Sequence, residues 1–325
     1  MLAIVIVTFN GGPWIRRCLR SVLGGAPESV VFVVDNGSTD DTLKQISEFP
    51  SVRLIQGHGN IGFGRANNLG VRAALDIGAD SVFLLNQDAW VEEGGLDRLS
   101  ALQSKHPCFG ILSPIHLDGT GTRLDQDFGV NLCRQEDVDL VSKLFCESRS
   151  LQEVYPFRYV NAAAWLVSRA CLEKVGGFDP LFFHYGEDEN YCQRARYHGF
   201  EIGVCPSAQV FHDRADRPAT VWTEYRILTC LVMELADIQI PDDEVQRRVR
   251  SMSRLNFKIA IREVLCGRWQ EAQSNLRRNR MLKSLWPHVA SSRKRTSQKG
   301  CHYIYDEIIP SPLSPPNIDR LGKVG

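Results

Sequence analysis

Three apolar runs in this sequence each end in polar side chains that a buried strand does not need. Thr8-Phe9-Asn10 follows LAIVIV, Asp35-Asn36-Gly37-Ser38 follows VVFVV, and Asn86-Gln87-Asp88 follows VFLL. One carboxylate at a strand end is as often a cap or turn residue as a ligand. Two at separate strand ends of an open parallel sheet share one rim, where ligands bind, and favour a site. A second cluster runs Phe182-Phe183-His184-Tyr185-Gly186-Glu187-Asp188-Glu189-Asn190. Three acids suit the first turn of a helix through the macrodipole, which accounts for the charge. The preceding Gly176-Gly177-Phe178-Asp179 and the aromatics point further, to a loop that delivers a carboxylate to a binding site. A lone His212 would be unremarkable, but it ends a strand-like run and is followed at once by Asp213.

Gly57-His58-Gly59-Asn60-Ile61-Gly62 matches G-x-G-x-x-G, with Asp80 about 20 residues on. In a dinucleotide-binding unit the glycines follow the first strand and the acid ends the next. Here they follow the third strand-like run, and Asp80 precedes its strand, so the glycines are read as a tight turn or close backbone approach instead.

These residues need a scaffold, and the hydrophobic pattern supplies one. Strand-like runs at 2–9, 30–36, 52–56 and 81–88 alternate with helical stretches, a βαβ series. Uninterrupted apolar runs such as AIVIV predict strands covered on both faces, hence a mostly parallel sheet. Pro13 falls where a first helix should begin, and Ser38 or Thr39 is placed to cap a second at Asp40–Asp41. A further strand is expected at 110–117 and a loop over 118–127. Helices follow at 168–175 and 187–198, with strands at 201–205 and 208–212. From 220 to 287 the pattern is helical.

The whole chain has 325 residues, 38 basic and 38 acidic, with 43% hydrophobic side chains, an ordinary globular composition. Zero net charge argues against a nucleic-acid-binding surface as the main role. No run approaches the length of a membrane span, the N-terminus lacks a secretory pattern, and ten scattered cysteines without a C-x-x-C pair suit a reducing cytoplasm. The neutral total hides an asymmetry: residues 243–299 hold about 15 Lys/Arg against 4 Asp/Glu. The expected division is a catalytic domain at 1–215, a basic helical region at 216–290, and a disordered Pro-rich tail at 291–325.

In order and spacing, VTFN, VVDNGSTDDT, NIGFGRANNLG, FLLNQDAWV, VGGFDPLFFHYGEDENYCQRAR and PSAQVFH resemble family 2 inverting glycosyltransferases of the GT-A fold, most of all their rhamnosyltransferase-like members. The resemblance covers about residues 1–215 and implies an α/β, Rossmann-like sheet flanked by helices. It assigns the nucleotide-sugar donor to Thr8, Asn10, Asp35, Asn36, Asn60, Gly62, Asn67 and Asn86. Asn86-Gln87-Asp88 stands at the family's D-x-D motif with Asn in place of the first acid, leaving Asp88 as the main carboxylate toward Mg²⁺ or Mn²⁺, with His212 completing the metal site. Asp188 matches the catalytic base. Acceptor contacts fall to Trp165, Phe183, Tyr185 and Glu187.

The implied reaction moves a sugar, rhamnose in the closest subgroup, from a dTDP or UDP donor to a hydroxyl of a polysaccharide or lipid-linked glycan. A divalent cation would stabilise charge on the leaving diphosphate, and one carboxylate base without a nucleophilic partner predicts inversion. Two alternatives stay open: a nucleotidyltransferase that makes the activated sugar, and a non-catalytic nucleotide-sugar or glycan-binding module. The basic helices read either as a subdomain packed on the catalytic domain or as a contact to anionic lipid on the cytoplasmic face of a membrane.

Overall fold

The computed structural model describes residues 1–26, 28–132, 142, 151–214, 224–308 and 310–314. Strands β1 (Leu2–Thr8), β2 (Val30–Asp35), β3 (Arg53–Ile55) and β4 (Ser81–Asn86) alternate with helices α1 (Ile15–Gly25), α2 (Thr42–Ile46) and α3 (Phe63–Asp76). Side chains alternate across a strand, so Ala3 and Val5 enter one core layer with Val71, Ala74 and Leu75 of α3. Ile4 and Ile6 enter the other with Ile15, Leu19 and Val22 of α1. That double coverage explains the uninterrupted apolar runs. The start of α2 differs from expectation: its N-cap is Asp41, without a side-chain cap bond, and Asp40 Oδ1 accepts the Thr42 amide at 3.1 Å.

Next come β5 (Ala89–Val91), α4 (Gly95–Lys105), β6 (Phe109–Asp118) and α5 (Gln126–Leu132), then β7 (Tyr155–Phe157), β8 (Ala164–Ser168) and α6 (Arg169–Val175). Helix α7 (Glu187–Tyr197) and β9 (Glu201–His212) close the sheet. The two strands expected at 201–205 and 208–212 are one, interrupted by a register shift opposite Pro114 and Ile115.

The sheet order is β3-β2-β1-β4-β8-β6-β9-β5, with β7 also paired to β9. Pairings among β3, β2, β1 and β4 are parallel, as is β6 with β9. Those of β8 with β4 and β6, and of β9 with β5 and β7, are antiparallel. Among the described strands β5, β7 and β8 are reversed and the other six run one way, so the sheet is mostly parallel, as expected, with antiparallel insertions. A buried run such as AWLV carries no direction of its own; the connection before it sets that.

Three helices follow: α8 (Glu224–Ala236), α9 (Asp242–Leu265) and α10 (Trp269–Thr296). Their core joins Val232, Val245, Met281 and Leu285 to Leu181 and Phe182 of the aromatic loop. Helix α10 continues through Pro287, so the division expected at 290 falls inside it. The expected disordered tail is corrected over its first part. Tyr303, Ile304 and Leu313 are buried, Gly177 N donates to His302 O at 2.8 Å, and Ser311 Oγ donates to Leu181 O at 2.7 Å. Proline removes amide donors but leaves apolar side chains able to anchor a segment. Residues 315–325 lie outside the described residues.

Candidate active site

Register brings the strand ends together. Thr8 lies opposite Asp35 on the neighbouring parallel strand, and Val7 opposite Asn86. Thr8 is fully buried and donates from Oγ1 to Gln87 Oε1 at 2.8 Å, which also accepts the Phe9 amide at 2.9 Å. The Asp35 carboxylate accepts the Gly37 and Ser38 amides, each at 3.0 Å. Asn36 reaches the glycine loop, donating to Gly62 O and accepting from Ile61 N, both at 3.3 Å. Asn10 Oδ1 accepts the Thr39 amide at 2.8 Å, and Asn60 Oδ1 accepts the Gly62 amide at 3.0 Å. Gly62 has φ 90°, and a Cβ there would stand 2.2 Å from Phe183 O. This loop must therefore lack a side chain where it passes the aromatic loop. Asp80, the acid of the G-x-G-x-x-G match, instead pairs with the Met1 ammonium at the opposite end of the strands.

A second group forms where β5 meets β9. The pairing of Ala89 with His212 sets Asp88 Oδ1 3.4 Å from His212 Nε2, while Asp125 Oδ2 lies 3.2 Å from Nδ1. All three side chains are buried. The contacts are too poorly aligned for either imidazole nitrogen to complete a hydrogen bond. Burial disfavours a charged His212, but the two carboxylates outweigh it and its pKa is raised. Asp125 moves the other way, to about 2: burial opposes ionisation, and His212 together with the Phe128 amide prevails. His116, behind them, is driven down to about 3 by burial and the His212 charge, and its Nε2 lies 3.0 Å from Ser113 Oγ.

The third group is at the start of α7. Tyr159 OH donates to Asp188 Oδ2 at 2.8 Å, and the Glu189 amide to Oδ1 at 2.8 Å. Burial raises the Asp188 pKa against these bonds. Burial and the Asp188 charge push Glu187 up to about 8. Two adjacent carboxyls in a poorly solvated site do not both ionise readily, and hydrogen bonding favours charge on Asp188 over Glu187. The loop before α7 is held by α3: Asn68 exchanges hydrogen bonds with the Phe178 backbone at 2.7 and 2.8 Å. Arg65 bridges Ile61 O at 3.1 Å and Pro180 O at 2.9 Å.

A cleft of about 350 Å³ joins the second and third groups; Asn86, His212, Tyr185, Glu187 and Asp188 all line it. Thr8, Asn10, Asp35, Asn36, Asn60 and Gly62 form the connected rim at the β1–β2 edge. Asn67 stands apart, buried in α3 with its amide on Phe63 O at 3.1 Å. Phe183 contributes its carbonyl to the Phe63 amide at 3.2 Å.

Trp165 is a correction. It is fully buried, opposite Leu84 in the sheet, with ring centroids 6.1 Å from Phe178 and 6.0 Å from Tyr191. Strand alternation turns it into the core, so no acceptor reaches it. Sequence reasoning missed Asp125, which sits in a polar run read as loop, and Tyr159, which no motif marks. It also missed Arg226, whose guanidinium lies 4.3 Å from the Tyr185 ring centroid and which lines the cleft from α8.

Residues 3–176 match the family described as Glycosyl transferase family 2, more than half of the chain, and the protein belongs to that family. Among curated relatives, an N-acetylglucosaminyl-diphospho-decaprenol L-rhamnosyltransferase of Mycobacterium tuberculosis is 28% identical over 235 residues, 66% of this chain and 76% of its own. The low-salt glycan biosynthesis hexosyltransferase Agl10 of Haloferax volcanii is 27% identical, over 66% of this chain and 67% of its own. The dTDP-rhamnosyl transferase RfbF of Shigella flexneri is 23% identical, over 67% and 70%. Of solved structures, S. aureus TarS 1–349 with UDP aligns with TM-score 0.53 at 16% identity, covering 91% of this chain and 88% of its own. GalNAc-T7 with UDP, GalNAc and Mn²⁺ aligns with TM-score 0.55 at 15% identity, covering 79% and 51%. The fold is GT-A, and the protein is a glycosyltransferase of the rhamnosyltransferase-like kind. That sets aside the nucleotidyltransferase and the non-catalytic module.

Proposed function

We propose that this enzyme transfers rhamnose, with inversion, from a dTDP or UDP donor to a hydroxyl of a polysaccharide or lipid-linked glycan. The observation that carries the reading is the shared cleft, in which Asp188 faces a space also lined by Asn86 and His212. The rhamnosyltransferase relatives support the sugar. Thr8, Asp35 and Asn36 are assigned the nucleoside, with Asn10, Asn60 and Gly62 along the same rim. Tyr185 and Glu187 are assigned the acceptor side. Peripheral contact with a membrane belongs to the same reading.

For the chemistry, the acceptor hydroxyl must lose a proton as its oxygen attacks the anomeric carbon. Asp188 takes that proton, held in place by Tyr159 and the Glu189 amide. Protonated Glu187 keeps the local charge to one, so Asp188 stays a usable base. Asp88 and His212 suit a hard divalent cation: one carboxylate, one buried imidazole, and a second carboxylate, that of Asp125, at the ring's other nitrogen. Among the described residues no three His, Cys, Asp or Glu converge as a metal-holding group, so diphosphate oxygens would supply the remaining positions. Bound Mg²⁺ or Mn²⁺ would stabilise the charge developing on the departing diphosphate.

The test is a thermal-shift screen of nucleotide-sugars with Mg²⁺ and Mn²⁺, since a ligand that binds only the folded state raises its stability. The best donor then goes into a transfer assay that reads the anomeric configuration of the product. Stabilisation by dTDP-rhamnose and an inverted product are expected, with the shift lost in Asp88→Ala. A retained configuration, or an unaltered shift in Asp88→Ala, overturns the base or the metal assignment respectively.

A further inference from the structure

Helix α9 has two apolar faces, and among the described residues only one is covered. Val245, Val249 and Met252 turn toward α8 and α10 in the helical core. Phe257, Ile261, Val264 and Leu265, at i, i+4, i+7 and i+8, form a separate stripe in the second half of the helix. Its side chains are exposed, Phe257 at 53% and Leu265 at 81%, and the stripe continues around the turn into Trp269 at 63%. Residues 250–283 carry nine Lys/Arg against two Asp/Glu. One of those acids, Glu263, is bound by Arg262 and Arg268.

We propose that this end of the α9–α10 hairpin docks on an anionic lipid bilayer, with Phe257, Ile261, Leu265 and Trp269 entering the interface and Arg250, Arg254 and Lys258 facing the headgroups. An apolar stripe with a terminal tryptophan, embedded in cationic side chains, complements the charge of an anionic leaflet and matches the pattern of an interfacial helix. Among the described residues no helix is long and apolar enough to cross a membrane, so the hairpin lies on the surface. Helix α8 connects this surface to the chemistry. Arg226, Thr229 and Met233 line the active cleft, whereas Ile227 and Leu231 line a second cavity of about 910 Å³ between the three helices. The surface deepens the lipid-linked acceptor reading and rests on it for its purpose.

The experiment is flotation of the full chain with phosphatidylglycerol vesicles and with phosphatidylcholine vesicles, without donor, at low and high salt. Binding to phosphatidylglycerol alone, weakened by salt, is expected. The combined variant Phe257→Ser/Ile261→Ser/Leu265→Ser/Trp269→Ser should lose about tenfold or more in vesicle affinity, as should Arg250→Glu/Arg254→Glu/Lys258→Glu, both melting as the parent does. Absent binding by the parent chain overturns the proposal, as does undiminished binding by both variants. So does a dimer in sedimentation velocity that the apolar variant dissolves without any vesicle binding, which would give the stripe to a second copy. Transfer to a soluble acceptor is assayed separately, so failure on vesicles and failure of the glycosyltransfer reading are distinguishable.

Discussion

One cleft is lined by His212, which two buried carboxylates flank, and by the Glu187–Asp188 pair, and the two clusters are driven in opposite directions. At the β5–β9 junction, Asp125 is held near 2 beside a His212 of raised pKa, so negative charge is kept where a cation would sit. At the start of α7, Glu187 is raised to about 8 and Asp188 also lies above its ordinary range, where a proton must be accepted. Both are buried. The difference is the neighbour: an imidazole between two carboxylates stabilises charge, and a second carboxyl next to the first penalises it. Environment divides the labour among identical functional groups.

The largest effect should come from breaking the proton-accepting side. Asp188→Asn is expected to lower kcat by about 10²–10⁴-fold while leaving nucleotide affinity unchanged in a calorimetric titration. Wild-type turnover in that variant would move the base elsewhere. Removing the packing behind the same helix comes next: Trp165→Ala should cost about 3–5 kcal/mol in denaturant unfolding through cavity formation. A loss of acceptor KM alone, with stability intact, would restore Trp165 to the acceptor site.

On the charge-holding side, Asp125→Asn removes the carboxylate behind His212, and Mn²⁺ affinity should fall by about 10–100-fold. Affinity equal to the parent's would make Asp125 a purely structural residue. The smallest effect is one of pH. Because Glu187 binds its proton more tightly in the folded state, its contribution to stability is complete below its ordinary value of 4.5 and is lost as pH rises to about 8. The Tm of the parent should decline across that window and that of Glu187→Gln should decline less; equal slopes would assign the dependence to other groups.

Much of this was legible beforehand because local patterns carry it. Apolar runs marked β1, β2 and β4, and their polar ends marked the rim, since a sheet edge is where a buried strand meets solvent. The acidic cluster at 187–189 was legible from its aromatic and glycine context, and Asp188 within it only through the family resemblance. Trp165 was misassigned because an aromatic near a site looks the same in sequence whether it faces cleft or core, and one residue of strand register decides which. Asp125 was passed over because its neighbours read as a turn. Its place beside His212 depends on the Asp125 amide bonding His116 O at 2.9 Å, which folds the loop back against β6.

The sequence by itself determined which residue types were available, the strands that end in them and the family to which the chain belongs, because hydrophobic periodicity and motif order are local properties. Tertiary structure decided the direction of β8, the burial of Trp165, the meeting of Asp88, His212 and Asp125, and the anchoring of Tyr303, Ile304 and Leu313. It also decided that one apolar stripe of α9 is left exposed among the described residues. Each of these depends on contacts between segments tens to hundreds of residues apart, where chain connection and packing choose among arrangements that local pattern leaves equivalent.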